Sequence, residues 1–501
     1  MEKLNLLSPS DIKKAGSSWG TEFVAGTQTF VTLAYILAVQ PLIMLGAELP
    51  QDIVFSATAV LSFLATLCMG VYARFPFAMS TGMGVNIIYA GLVASGRVTW
   101  QEGLGMVFWA GVVFLLTSIR IGKFSLREVI VNNLDVGLKR VMGAIVGLFL
   151  ASLGFTNAGF VSIVDNALQV GRLTDPTIIV AFGGLVVTCF LFFGFTVAGK
   201  GKDGSKKMAK WSLPGAVLLG IFLMTIVLAI MGKVQIPGAV FSLPANPFAL
   251  FPALVGSGEF WGSILKVQNW TYIMIFFLSA LFSTIGTSIG CASKAGLMDP
   301  KTGEIPGINR LFMVDSTFSC LGAMFGLTDP TTFLESAAGI EAGGRTGWTS
   351  VFTSGWMLLA LFLSPIFLMI PGVATGVALI VIGLSMMLSL DGKRNIDFSN
   401  PREIIPILFM IMVTAFTNDF AVALCVGLTM SLLLDVFAWA TYPLVCRINE
   451  KRQSKKNNSE DEDEFETMVG YCAETHKKLL PSISSCVIVA IAIVNLILTL
   501  R

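Results

Sequence analysis

The stretch GLTDPTTFLESAAGIEAGGRTG (326–347) carries Asp329, Glu335, Glu341 and Arg345 between two strongly apolar runs. A charged side chain inside a bilayer costs roughly 2.5–3.5 kcal/mol on insertion scales, so acids at such depth carry a functional presumption. Glu335 is the best placed of them. It stands where TDPTTFL gives way to SAAG, and its neighbours Ser336, Ala337 and Ala338 are small enough to let a helix or a flat ligand come close. A carboxylate there could accept two N–H bonds from one edge of a heterocycle, which fixes orientation as well as affinity. An ion pair with Arg345, or capping of backbone donors, would use the same group without a ligand. Asn86, in TGMGVNIIY, can donate and accept; it suits a ligand edge, a network steadying Glu335, or a helix-terminus hydrogen bond. Asp315, in RLFMVDSTFS, suits a proton or cation relay, or a structural hydrogen bond. Glu22 and Asp419 lie at segment edges, where solvation accounts for them.

Other chemistries lack their residues. The single histidine, His476, lies in a charged tail, and the eight cysteines are scattered without a CxxC or a Cys/His group. That excludes a recognisable metal site or disulfide framework, and no convergent nucleophile–base pair suggests catalysis. No cofactor is expected. A net charge of +2 without a basic face gives no sign of a nucleic-acid partner.

The elements that must position these groups are membrane spans. Of 501 residues, 54% are hydrophobic and 13% charged, with a mean hydropathy of +0.79, whereas soluble domains carry about 25% charged residues. Apolar segments fall at 22–47, 53–73, 76–95, 101–120, 135–155, 176–198, 212–232, 270–292, 309–327, 329–342, 348–371, 374–390, 404–418 and 420–445. This spacing predicts an all-α polytopic protein of fourteen segments embedded in a lipid bilayer. Basic residues cluster before the first segment and after the even-numbered ones, for example Arg120, Lys123 and Arg127, or Lys206, Lys207 and Lys210. By the positive-inside rule the N-terminus is cytoplasmic. The polar opening MEKLNLLSPSDIKKAGSSWG does not read as a signal peptide.

The third and tenth segments are irregular, FPFAMSTGMGVNIIYAG (75–91) and the acid-bearing stretch above. Each begins with proline and a polar, strand-tolerant run, then becomes a small-residue helix. A matched pair of interrupted segments points to an inverted repeat with a midplane site; a re-entrant loop or two packing kinks is the alternative. Beyond 446, residues 447–478 read as a charged cytoplasmic linker. The uncharged run within 479–501 is either a further span or a surface helix.

Four blocks together resemble the nucleobase–ascorbate, or xanthine/uracil permease, family: GTEFVAGTQTFVTLAYILAVQP (20–41), TGMGVN (81–86), GTSIGCASKAGLMD (286–299) and TTFLESAAGIEAGGRTGWTS (331–350). They are most similar to its adenine/guanine/hypoxanthine branch. The resemblance implies two inverted repeats of seven segments, with short strands in segments 3 and 10. It implies a core domain (22–120 and 270–371) and a gate domain (121–232 and 372–446), with residues 1–21 cytoplasmic and 233–269 an extracellular connection. It further implies a multi-pass protein of the cell membrane, in several members a homodimer. Such a protein imports a nucleobase, here a purine, by proton symport and alternating access, with sodium the alternative ion.

The candidate substrate-binding residues are then Tyr35 and Gln40 in segment 1, Asn86 in segment 3, Ser283 and Thr284 in segment 8, and Thr332, Phe333, Glu335 and Ser336 in segment 10. Glu335, Asp315 and Asp329 are the coupling candidates. The chain departs from the branch pattern in segment 8, which usually reads like FVDLFDTLGT. Here it reads LSALFSTIGT (278–287), with Ala280 and Ser283 at the acid positions. Asp329 stands where threonine, serine or proline is usual. These departures imply altered coupling with Asp329 as replacement charge, a different flat or anionic solute, or an uncoupled facilitator. An enzyme would need ligands or nucleophiles that the spans lack, and a sensor would need a signalling domain.

Overall fold

The computed structural model describes residues 12–13, 15–121, 124–125, 148, most of 151–297, 305–388 and scattered helical positions between 405 and 434. Segments 5, 13 and 14, Asp419, the charged linker and the C-terminal apolar run lie wholly or largely outside the described residues. The chain divides into two compact units. The larger, residues 1–127 and 142–389, contains every element described below. Of the smaller, residues 128–141 and 390–501, only the helical positions after 404 are described.

Segment 1 is two helices, α1 (Trp19–Leu33) and α2 (Ile36–Leu45), where the sequence suggested one. Segment 2 is α3 (Gln51–Cys68), which runs on into a wide π turn at Met69–Ala73. Strand β1 (Met79–Thr81) and α4 (Met83–Ala94) make up segment 3, and α5 (Trp100–Ser118) segment 4. Three local hairpins follow in the backbone, β2 (Arg120–Ile121) with β3 (Phe124–Ser125), β4 (Val161–Val164) with β5 (Ala167–Val170), and β6 (Phe195–Lys200) with β7 (Lys206–Trp211). Between and after the last two lie α6 (Pro176–Phe193) and α7 (Ala216–Ile230). Short helices α8 (Phe251–Val255) and α9 (Gly258–Gly262) precede the long α10 (Asn269–Ala295). Then come α11 (Ile308–Met324), β8 (Pro330–Thr332), α12 (Ser336–Glu341), α13 (Gly347–Ala360), α14 (Ser364–Leu368) and α15 (Gly372–Leu388).

Local chemistry sets the ends of the helices. Ser18, Thr99, Asp175 and Thr346 each turn a side-chain oxygen onto a free N–H of the first turn of α1, α5, α6 and α13. Among the described residues five helices are long and apolar enough to cross a membrane, and a sixth span arises if the bent pair 258–265 and 269–281 is counted as one. The outward faces of α6 and α7 expose Ile179, Phe182, Phe190 and Ile226, as spans facing lipid do. Where helices must cross closely, glycine removes the obstacle. A Cβ on Gly26 of α1 would sit 2.6 Å from Phe352 Cβ of α13, and one on Gly339 of α12 would sit 2.0 Å from Thr29 Oγ1 of α1.

The centre of the fold is a two-stranded antiparallel pair, β1 with β8, in which Met79 faces Thr332, Ser80 faces Thr331 and Thr81 faces Pro330. All six residues are buried. The pair is extended by Gly82 N–H to the Asp329 carbonyl (2.7 Å) and Phe333 N–H to the Ala78 carbonyl (3.1 Å). Side chains meet several of the remaining groups of the unwound backbone. The Thr66 hydroxyl accepts from Met79 N–H at 3.0 Å and lies 3.1 Å from its carbonyl. Ser336 Oγ accepts from Ala78 N–H at 2.9 Å, and the single proton of Ser350 Oγ is shared between the carbonyls of Phe75 and Phe77, at 2.7 and 2.9 Å. Non-helical backbone survives at membrane depth only when its polar groups are met in this way.

Glu22 differs from expectation. It is fully buried in α1, not solvated at a segment edge. Its carboxylate accepts from the backbone N–H groups of Arg345 and Thr349, both at 3.1 Å, and from the Thr349 hydroxyl. It thereby serves the amino end of α13, where a negative charge also opposes the positive helix-dipole end. Replacing Glu22 by Ala leaves these donors without their acceptor. The expected outcome is a loss of roughly 2–3 kcal/mol of stability, read as a lower melting temperature in detergent, with Glu22→Gln losing less. Equal melting temperatures for wild type and Ala variant would show that α13 is held by other contacts.

Candidate functional site

The break in segment 1 falls at Ala34–Tyr35, where Leu37 N–H and Ala38 N–H each reach back three residues, to Ala34 and Tyr35 carbonyls (3.1 and 3.0 Å). This tight turn delivers Tyr35 to the β1/β8 crossing. Its ring is 1% exposed, and its O–H donates to Glu335 Oε1 at 2.7 Å. Glu335 itself is half-buried at the residue preceding α12. Thr32 of α1 adds a contact from its hydroxyl to the Glu335 carbonyl at 3.4 Å. Ser336, next in line, is tied to β1 through Ala78, while Phe333 joins the apolar core beside Ala78 and Met83. Arg345 takes no part in this contact; its Nη1 donates to the carbonyls of Ile340 and Gly344 at 2.5 and 2.8 Å, closing the carboxyl end of α12.

Asn86 is fully buried on α4. Its amide exchanges bonds with the Gln40 amide of α2, one of them 3.3 Å, and its Oδ1 also accepts from Thr328 Oγ1. Gln40 and Thr328 are themselves fully buried. Two of the sequence candidates, Gln40 and Asn86, therefore meet each other. Thr328 carried no signal beyond its proximity to Asp329.

A hydroxyl ladder on α10 holds the third group of candidates. Thr284 donates to Asp315 Oδ2 of α11 at 2.6 Å and lies 2.8 Å from Thr331 Oγ1 of β8. A hydroxyl has one proton, so Thr331 supplies the second and the bonds run from strand to carboxylate. One turn along, Thr287 donates to the Ser283 carbonyl (2.8 Å) and stands 2.7 Å from Thr332 Oγ1. The spacing Thr284, Thr287/Ser288, Cys291 places one polar stripe against residues 331–334; helical periodicity was the signal that could have found it. Asp329, 4% exposed, accepts from Ser319 of α11. Asp329 and Ala280 border the same small cavity, about 10 Å³, with Val107, Ala110, Phe114 and Phe276, which is room for about one water. Side chains from seven elements, α1, α2, α4, α10, α11, β8 and α12, thus converge where the two strands cross.

Several apolar spans packed around a buried polar crossing define a multi-pass membrane transporter. In agreement, the transmembrane domain of the cyanobacterial bicarbonate transporter BicA shares the fold, with a TM-score of 0.53 at 12% identity over 81% of this chain and 96% of that one. A permease-family model, that of the xanthine/uracil permeases, matches residues 20–420. The chain is 31% identical over 430 residues to the guanine/hypoxanthine permease PbuO of Bacillus subtilis, covering 83% of this chain and 91% of PbuO. It is equally identical over 415 residues to the adenine permease AdeQ of Escherichia coli, covering 82% and 86%. The protein belongs to the xanthine/uracil permease family, a family of transporters and not of enzymes.

The ladder makes a stability prediction independent of any substrate. Thr284→Val keeps shape but removes the bond to Asp315 and the acceptor for Thr331. The expected loss is about 1–3 kcal/mol, read by thermal unfolding, and Thr284→Ser restores most of it. A Ser variant as unstable as the Val variant would assign the effect to packing of the Thr methyl group.

Proposed function

We propose that the protein is a secondary active transporter that imports a nucleobase, specifically a purine of the hypoxanthine, guanine or adenine class. The observation that carries this is Glu335, an acid at the β8/α12 junction with its carboxylate turned to Tyr35 across the strand crossing. A carboxylate so placed can take the N–H edge of a flat base. The names of PbuO and AdeQ supply the substrate class. Fourteen segments in two inverted repeats of seven are the architecture we assign, supported by strands from segments 3 and 10 that pair at their matching positions. Segments 1–4 with 8–11 form the core and segments 5–7 with 12–14 the gate, and their relative movement gives alternating access as a population shift between outward- and inward-facing states. The protein lies in the cell membrane with its N-terminus in the cytoplasm, and a homodimer is the assembly proposed.

Transport is coupled to protons in this reading, with Glu335, Asp315 and Asp329 as carriers and sodium as the competing ion. Ala280 and Ser283 leave segment 8 without acids, and Asp329 borders the cavity beside Ala280. Asp329 is therefore assigned the replacement charge. An uncoupled facilitator, or a carrier of another flat or anionic solute, is the second reading that the missing acids favour.

Two measurements separate these. Glu335→Gln should weaken hypoxanthine binding at least about tenfold, since a charge-assisted bond contributes roughly 1.5–3 kcal/mol; full affinity in a thermal-shift titration would remove Glu335 from the site. Asp329→Asn, assayed for uptake into vesicles under an imposed pH gradient, should lose the stimulation that the gradient gives the wild type. Wild-type uptake indifferent to both proton and sodium gradients would establish the facilitator instead.

A further inference from the structure

We infer that Tyr35 is a latch on Glu335, which a ligand has to displace before it can use the carboxylate. The inference rests on the reading of Glu335 as the base-binding acid and adds a specificity-determining residue to it. The two oxygens of a carboxylate serve two parallel N–H donors when the partner is planar. Here one of them, Oε1, already accepts the Tyr35 O–H at 2.7 Å. Each carboxylate oxygen can accept two bonds, so a planar ligand with two parallel donors must either share Oε1 with the phenol or displace it, and the latch is displacement.

The phenol reaches Glu335 because of how the chain is built on both sides. Segment 1 breaks at Ala34–Tyr35, so the ring leaves the chain at a turn and not on a continuous helix. Pro41 in α2 has no N–H for the carbonyl of Leu37, which loosens this helix one turn after the break. On the other side, Glu335 precedes α12, and its side chain makes no capping bond to that helix. Neither partner is thus committed to a helix by the contact. Tyr35 is a member of the large buried apolar cluster that also includes Phe333, Met83 and residues of α7 and α15. The rejected alternative, Tyr35 as a passive stacking surface, leaves the O–H bond to Glu335 without a role.

The test uses the full-length protein and Tyr35→Phe, which removes the oxygen and keeps the ring, with Tyr35→Met as a second hydroxyl-free variant should the first unfold at a lower temperature than wild type. In the first arm, without any ligand, a hydrophobic carbodiimide labels accessible carboxyl groups and mass spectrometry follows Glu335. Labelling is expected to be faster in the variant than in wild type by about three- to tenfold, the size of one released hydrogen bond. Equal rates overturn the latch. In the second arm hypoxanthine is titrated by thermal shift, and its apparent Kd is expected to fall by a similar factor in the variant. Unchanged or weaker binding overturns displacement and makes the phenol a ligand contact. A wild-type protein that binds none of hypoxanthine, guanine or adenine contradicts the proposed substrate class, while the labelling arm still decides whether Tyr35 covers Glu335.

Discussion

The structure depends on two three-residue strands that pair in a place where unpaired backbone is untenable. Without water in the hydrocarbon, every N–H and C=O of residues 75–82 and 329–336 needs a partner from the protein. β1 and β8 pair with one another, and the hydroxyls of Thr66, Ser336 and Ser350 meet further groups. Much of the polar composition of the spans follows from that. Thr66 of α3, Ser336 of α12 and Ser350 of α13 hold irregular backbone, whereas Thr284 and Thr287 of α10 and Ser319 of α11 bond the side chains of Asp315, Asp329, Thr331 and Thr332.

This division also accounts for the different fates of buried acids. Glu22 is spent on the amino end of α13, and Glu102 on an ion pair with Lys266 at 2.7 Å and a bond from Asn269. Asp315 is held by the α10 ladder, and Asp329 by Ser319. Glu335 has the phenol of Tyr35 as its side-chain partner, and that phenol is mounted on the turn between α1 and α2 rather than within a helix.

Composition and hydropathy made the membrane class legible, and the proline-initiated stretches at 75–91 and 326–347 marked the crossing. Segment limits agree closely where a span is regular: 309–327 against Ile308–Met324, or 374–390 against Gly372–Leu388. The break at Ala34–Tyr35 was hidden because neither residue opposes helix; tertiary contacts impose the turn, with Pro41 the only local hint. Burial of Glu22 was illegible for a related reason. Its partners lie 323 and 327 residues away in the chain, and an acid near the start of a span reads as solvated until the helix that needs it is known. Glu335 and Asn86 stood out as polar residues in irregular segments, but the bonds of Asn86 to Gln40 and Thr328 required the third dimension.

The Glu22 contact has a consequence for how the protein is made. The first span enters the bilayer with an acid whose acceptor sites cannot be filled until Thr349 has been synthesised, 327 residues later. At a synthesis rate of about 5–20 residues per second that interval is roughly 15–65 s. Throughout it, α1 is a span with an unmatched carboxylate, and β1 is a strand without its mate. The native partners of α1 and β1 thus come from the second half of the chain, and neither element can reach its final bonding before α13 and β8 exist.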